Sequence, residues 1–400
     1  MNPTTFTKRS TGELVQISEG GLAFVPTRLP ITGLALSRDM VLSLDEAITE
    51  LGRLDGHGQN LPDPHLLIAP LLRKEAVLSS RIEGTQTTFS DLVLFEAAQL
   101  GKSARDRDNR EVANYVTALM YALARCGELP IGKRLICEVH AKLMARIDED
   151  NTRPGRFRET QVHIGPRGLG ISDARYVPPP PYQIDPLFEN LAEYIQQSAD
   201  RLPLLIRLAI VHYQFEAIHP FLDGNGRIGR LLITLMLCAE KRLAAPTLYL
   251  SAYFERRREQ YNDLMLEVSR DGQWEPWILF FLRGIAIQAR DAVQRMKQLQ
   301  DLRTDYKARL AAARATVATH TLVDELFKLP VMTNTIGAKV LDFSWQSARD
   351  TVRKLEEAKI ITLIDGSAKQ KVYVAQDIIR IVDAVEAVPP ATGKSGHGVL

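Results

Sequence analysis

Apolar positions first take on a helical period at Leu42: Leu42, Leu44, Ala47, Ile48 and Leu51 fall along one face, and Gly56-His57-Gly58 predicts the stop. Before that, residues 1–40 read as strand fragments and turns, broken by Gly20-Gly21, Pro26 and Pro30, and form an N-terminal arm. A second helix starts at Asp63-Pro64, an N-cap followed by proline at the first helical position, and runs to Gly84. Helical patterns follow at 109–126 and 131–147. Residues 154–182 differ: glycines and prolines accumulate, Gln161-Val162-His163-Ile164 alternates, and Pro178 to Pro181 form an unbroken run, which predicts a hairpin or extended flap.

Helices resume near Ile184. Pro203–Ile218 and Ile228–Ala239 are apolar on nearly every side, which marks two core helices. Further helices are predicted over Ser251–Arg270 and from Glu275 to Arg314, the latter turning polar after Gly284 as a connector would. Residues 318–385 form a separate unit: a helix at 321–328, a short helix from Thr333, a helix from Ser344 to Ala358, and two strands around Asp365-Gly366. That order is the order of a winged helix-turn-helix. The end, from about residue 386, reads as a disordered tail.

With 45% hydrophobic and 24% charged residues, the 400-residue chain is globular and large enough for two or three domains. Fifty Lys and Arg oppose 48 Asp and Glu, a formal charge of +2, so any nucleic-acid role must be local. Cys126, Cys137 and Cys238 are odd in number and widely spaced, which fits a reducing, cytoplasmic setting. No signal peptide and no membrane span are read from the pattern.

The chemistry concentrates in one string, His219-Pro220-Phe221-Leu222-Asp223-Gly224-Asn225-Gly226-Arg227-Ile228-Gly229-Arg230. It joins the two core helices, so the free N–H groups at the start of the second make an anion site. Arg227 and Arg230, three apart, share a face and can both grip phosphate oxygens, while Gly224 and Gly226 admit a close ligand. Asp223 is placed to hold Mg²⁺, and His219 is the candidate base for a hydroxyl nucleophile. Together these parts describe phosphoryl or nucleotidyl transfer. Gly224-x-Gly226-x-x-Gly229 also satisfies the dinucleotide pattern, but it follows a helix and not a strand.

The string resembles, position for position, the signature HPFx(D/E)GNGRxxR of Fic-domain proteins. The resemblance implies a mainly α fold: a Fic helical core with a β-hairpin flap, plus the small C-terminal winged helix-turn-helix. It implies transfer of AMP from ATP to a Ser, Thr or Tyr hydroxyl of a target protein or of the chain itself, releasing diphosphate. In that reading His219 takes the hydroxyl proton and Asp223 coordinates Mg²⁺. Gly224, Asn225, Gly226 and Gly229 shape the nucleotide site, Arg227 and Arg230 hold the β- and γ-phosphates, and Phe221 anchors the loop. Relatives acting as kinases carry lysine in place of Gly226, so this glycine favours nucleotide transfer. The resemblance extends over about residues 20–290. It divides the chain into an N-terminal region with an inhibitory helix (1–100), the catalytic core (101–290), a helical connector (291–317), the winged-helix-like unit (318–385) and the tail (386–400).

Ser79 and Glu83, four apart at the end of the second predicted helix, lie on one face, with Gly84 as the helix stop. The stretch matches the (S/T)xxxE(G/N) inhibitory motif of the Fic family. By that resemblance Glu83 occupies Arg230 and blocks productive docking of the γ-phosphate, while Ser79 fixes the helix. The same site running in reverse, with Glu83 helping a water remove AMP from a modified protein, remains an alternative. A second copy of the chain is a further candidate partner. A rival of another class is a DNA-binding regulator working through 318–385, with Trp345, Gln346, Arg349, Arg353 and Lys354 on the recognition helix and Lys369 and Lys371 on the wing. Against it, that unit carries nine basic and nine acidic residues. Gly393-Lys394-Ser395 lacks the first glycine of a P-loop, His140, His163 and His212 lack zinc spacing, and Arg256-Arg257-Arg258 reads as a solvated helix face.

Overall fold

A computed structural model of the chain describes residues 2–18, 20–59, 64–98, 105–147, 153–165, 170–197, 202–365 and 371–384. The N-cap expected at Asp63, the flap tip at 166–169, the wing turn at Gly366 with Lys369, and the tail 386–400 lie outside these residues.

The arm folds as an antiparallel hairpin of β1 (Gly12–Gln16) and β2 (Leu22–Pro26), with Leu14 opposite Phe24. Burial of Ala23, Phe24 and Val25 seats β2 against the core. Next, α1 (Arg38–Gln59) runs through Gly56-His57-Gly58 instead of stopping there. Its buried apolar positions are Met40, Ala47, Leu51 and Leu54, whereas Leu42 and Ile48, expected inside, are 57% and 52% exposed. The reason is geometric: one long helix over 274–312 is its main neighbour, and a single partner covers only a narrow seam of 3.5-residue period.

α2 (Pro64–Ile82) closes on a tight turn in which Glu83 and Gly84 donate to the carbonyls of Ser80 and Arg81. Gly84 sits there at φ +108°, a value that favours glycine. The ten residues of α3 (Phe89–Ala98) mix an apolar run with Ser90, Asp91 and Glu96, and the periodicity does not announce the helix. α4 (Arg105–Arg125) pairs with α5 (Lys133–Leu143), which ends four residues before the expected limit. The expected hairpin over 154–182 reduces, among the described residues, to one antiparallel bridge between Ile164 and Tyr176. The outgoing limb instead uses its carbonyls elsewhere, Val177 accepting from the Phe24 amide of β2 at 2.8 Å.

The proline run leads into α6 (Pro181–Gln197), with Pro181 at the first helical position. α7 (Leu204–Ile218) and α8 (Asn225–Ala239) are buried on almost every side, as their composition requires. The predicted helix over 251–270 breaks into α9 (Ser251–Arg256) and α10 (Arg258–Asp271) at Arg257, whose guanidinium stacks on the Tyr253 ring. α11 (Trp274–Ala312) spans 39 residues. Beyond Gly284 it still buries Ile285, Ala289, Ala292, Met296 and Leu299, a heptad seam and not a polar connector.

The C-terminal unit runs α12 (Val317–Lys328), β3 (Val331–Thr333), α13 (Asn334–Leu341), α14 (Trp345–Glu357), β4 (Thr362–Asp365), β5 (Val372–Val374) and α15 (Gln376–Asp383). Its antiparallel sheet has the order β3-β5-β4. Ser344 and Thr333 cap α14 and α13 through side-chain oxygens that accept from Ser347 and Ile336 amides. The unit docks on α2: buried Lys74 donates to the Val382 carbonyl at 2.8 Å and Arg73 to the Lys328 carbonyl at 3.0 Å. No described helix is long and apolar enough to cross a membrane.

Candidate active site

α7 ends at His219, which adopts a left-handed conformation (φ 49°, ψ 62°) while its amide still donates to the Phe215 carbonyl at 3.0 Å. Pro220, lacking an N–H, cannot continue the helix, so the chain turns there. Phe221 is fully buried and lies flat on the His140 ring, centroids 3.7 Å apart and planes 2° from parallel. Asn225 staples the loop with its side chain, accepting from the Phe221 amide at 2.8 Å and donating to the Phe221 carbonyl at 2.9 Å. Gly224, at φ 79°, makes the left-handed step into α8. His140 accepts from the Gly155 amide through Nδ1 at 2.9 Å, so its Nε2–H donates to the Asp223 carbonyl at 3.0 Å. Burial pulls the His140 pKa down to about 4, keeping this ring neutral. The loop is thus fastened from α5, from the core and from α8, and the unpaired first-turn amides of α8 face its mouth.

The two arginines do not share one ligand space. Arg230 lines a cavity of about 390 Å³ together with His219, Gly226, Glu83, Glu216 and Tyr261. Arg227, 2% exposed, donates instead to Glu111 of α4 at 2.8 Å and to Asp223 at 3.3 Å. The acid on α4 holds Arg227 as a brace beside the loop, and Arg230 is the member of the pair that lines the cavity. Gly229 is packed under Glu216, whose Oε1 would lie 2.2 Å from an added Cβ.

Glu83 sits at the mouth of the cavity. Its Oε1 accepts from Arg230 Nη2 at 2.5 Å, and a Cβ on Gly226 would meet that same oxygen at 2.1 Å. The carboxylate therefore rests on the first turn of α8, where an anion is expected. Ser79, fully buried, holds the same guanidinium twice: its Oγ accepts from Nε and its carbonyl from Nη2, both at 2.9 Å.

The electrostatics follow from this crowding. Burial opposes the charge on Glu83, but Arg230 outweighs it and holds the carboxyl below its usual range. Burial likewise opposes the Arg230 charge, and Glu83 more than restores it. Burial, aided by the Arg158 guanidinium, pulls His219 down to about 4, and its buried Nδ1 has no partner among the described residues. A neutral imidazole is the form that can accept a proton. Burial pushes Glu216 up to about 8, with Glu83 adding to the effect and Arg230 opposing it, so this carboxyl is protonated at neutral pH. His212 is structural: it bridges the Gly229 carbonyl and the Tyr261 hydroxyl.

Asp223 is half-exposed, and its Oδ1 accepts from the Gly224 amide and Arg227. One such carboxylate beside an anion site fits Mg²⁺ held mainly by substrate phosphates. Among the described residues no three His, Cys, Asp or Glu side chains gather as a metal cage. Sequence reasoning missed Glu111, Glu216, Tyr261 and Arg158; all four lie outside the loop, and none carries a spacing signal. His140, which lacks the spacing of a zinc ligand, proves to be a loop brace.

Residues 41–124 match the Fic/DOC family N-terminal model and residues 130–237 the Fic/DOC family model. Among curated proteins, "Protein adenylyltransferase Fic" of Drosophila grimshawi is 27% identical over 252 residues, covering 60% of this chain and 48% of the relative. "Protein adenylyltransferase fic-1" of Caenorhabditis elegans is 30% identical over 161 residues, covering 40% and 27%. The chain spans about half the length of the curated relatives it matches, or less. Among solved structures, a Fic family protein from Desulfovibrio desulfuricans superposes with a TM-score of 0.56 at 21% identity, covering 86% of this chain and 98% of that one. The likeness extends to the fold.

Proposed function

We propose that this chain, which carries a Fic/DOC N-terminal region followed by a Fic/DOC domain, is a self-inhibited protein adenylyltransferase. The observation that carries the reading is the seat of Glu83: its carboxylate lies on Gly226 and against Arg230, where an anionic substrate group would dock. With Glu83 withdrawn, ATP binds with its phosphates at the start of α8 and Arg230 takes the γ-phosphate. The target hydroxyl oxygen forms a bond to the α-phosphorus, the bond to the bridging oxygen breaks, diphosphate leaves, and His219 takes the hydroxyl proton. Asp223 would hold Mg²⁺, which neutralises charge on the phosphates when bound. Glu111 fixes Arg227, and Arg227 fixes Asp223.

The test is transfer of α-labelled AMP from ATP in the presence of Mg²⁺. Wild type labels itself or a partner weakly, Glu83→Gly strongly, and Glu83→Gly with His219→Ala not at all. Absence of transfer from both Glu83 forms overturns the reading. Release of AMP from a pre-modified target by wild type would assign the reverse reaction to the same site. Three free cysteines support a cytoplasmic setting. For the C-terminal unit the DNA reading is weaker: Arg353 on α14 pairs with Asp350 and Glu357, and Arg349 pairs with Asp350, leaving little charge for a phosphate backbone. Electrophoretic shift of duplex by the full chain, abolished by salt, would restore it.

A further inference from the structure

We infer that Arg158 is a positioning residue for the transfer, a buried fork that ties the backbone of His219 to both limbs of the flap. The inference rests on the transfer reading above and concerns a residue outside the signature loop. Arg158 is 2% exposed. Its amide donates to the Pro220 carbonyl at 2.9 Å and its Nε to the His219 carbonyl at 2.9 Å. Its Nη1 reaches the Thr160 carbonyl at 3.1 Å on the incoming limb, and its Nη2 reaches the Pro179 carbonyl at 2.5 Å on the outgoing limb. Tyr176 adds a parallel tie, its hydroxyl donating to the Ala217 carbonyl at 2.8 Å.

Several features distinguish this arrangement from ordinary packing. The last carbonyls of a helix lack intrahelical partners and carry the negative end of its dipole, so a cation at the end of α7 is well placed. His219 stands at that end in a left-handed conformation, so the direction of its ring depends on how its peptide is held. A planar fork presents donors on three separate nitrogens in a fixed geometry that matches three separated carbonyls, whereas an ammonium gathers its three donors on one nitrogen at the end of a flexible stem. Among the described residues the side-chain hydrogen bonds of Arg158 all go to carbonyl oxygens, two of them on the flap limbs and one on His219, so the buried cation is satisfied by the backbone it ties together. The consequence is that the base and the flap edge move as one body. A target chain lying on that edge brings its hydroxyl to a fixed distance from the ring.

The test uses the full chain with Glu83→Gly, carrying Arg158→Met or Arg158→Lys. ATP affinity, measured by equilibrium titration, is expected to stay within about twofold, because Arg158 touches no expected phosphate position. The transfer kcat is expected to fall about 100-fold for Met, the scale of a one-ångström misplacement, and about tenfold for Lys, which keeps the charge but not the fork. The groups acting on the His219 charge are Arg158 from the flap, Glu83 from the end of α2 and Asp223 from the loop, and Glu216 of α7, Arg230 of α8 and Tyr261 of α10 line the same cavity. Loss of the guanidinium therefore raises the acid limb of the rate profile for Met and leaves it nearly in place for Lys. NMR titration of the His219 ring and amide exchange over 160–164 and 174–178 probe the same tie without nucleotide: the pKa rises in Met, and exchange quickens in both variants. Unchanged kcat, His219 titration and flap exchange overturn the inference; so does a parallel fall of ATP affinity and kcat with the melting temperature. If Met does not fold, kcat and flap exchange in Lys decide. If Glu83→Gly with Arg158 intact transfers nothing, the adenylyltransferase reading fails, and the NMR and exchange results still judge the tie between flap and base.

Discussion

Replacing Glu83 with Gln tests whether charge, and not bulk, closes the site. The amide keeps the length of the side chain and one oxygen able to accept from Arg230, but it gives up the negative charge. In the wild type the contact joins a guanidinium 2% exposed to a carboxylate 38% exposed. A hydrogen bond to a charged group contributes about 1.5–3 kcal/mol, and the exposure of Glu83 places this one near the lower end, at about 2 kcal/mol. A neutral acceptor retains roughly half, so Gln weakens the closed arrangement by about 1 kcal/mol, whereas Gly removes the contact entirely. One kcal/mol shifts an equilibrium about fivefold and two about thirtyfold. Initial rates of AMP transfer at subsaturating ATP should therefore rise in the order wild type, Gln, Gly, by about fivefold and thirtyfold. ATP dissociation constants should fall in the same order. If Gln activates as much as Gly, bulk or helix dynamics close the site and the electrostatic argument fails. If neither variant changes rate or affinity, the contact is not inhibitory.

The pKa of His219 is lowered, so its neutral, proton-accepting form persists as pH falls through 6.5 and is lost only near 4. The rate profile of Glu83→Gly should then show its acid limb well below 6.5, and lower still than in wild type because Glu83 raises this pKa; a limb centred near 6.5 would contradict the burial argument. Arg227→Met, which removes the buried partner of Glu111 and leaves that acid its pair with Arg107, should cost about 1–3 kcal/mol in denaturant unfolding. Arg230→Met should instead weaken ATP binding in the Glu83→Gly background, and the reverse assignment of these two effects would refute the division between brace and ligand. Phe221→Ala, which removes a fully buried ring stacked on His140, should cost about 3–5 kcal/mol and lower the melting temperature.

The central architecture is legible because α7 and α8 are apolar all round and the string between them is dense in turn and anion-binding residues. Local signals also carry the helix start at Ser344 and the helix stop at Gly84. What stays hidden depends on distant partners. The direction of Arg227 is decided by Glu111, 116 positions earlier, and nothing local announces that acid. The periodicity of α1 misplaces Leu42 and Ile48 because a single packing partner needs a narrower stripe than a broad core does. The polar look of α11 beyond Gly284 conceals a seam in which Ala286, Gln288 and Arg295 are buried beside the apolar heptad positions. Alternation alone suggests a hairpin in the flap, yet Val177 and Pro179 offer their carbonyls to Phe24 and Arg158, and one bridge remains among the described residues.

One measurement bears most directly on the account: mass spectrometry of wild type, Glu83→Gly and Glu83→Gly with His219→Ala after incubation with ATP, Mg²⁺ and cell lysate. Added AMP is expected on a hydroxyl side chain of the chain or of a partner, sparse with wild type, abundant with Glu83→Gly and absent when His219 is also replaced. No added AMP with either of the first two forms, or undiminished AMP with the third, would contradict it.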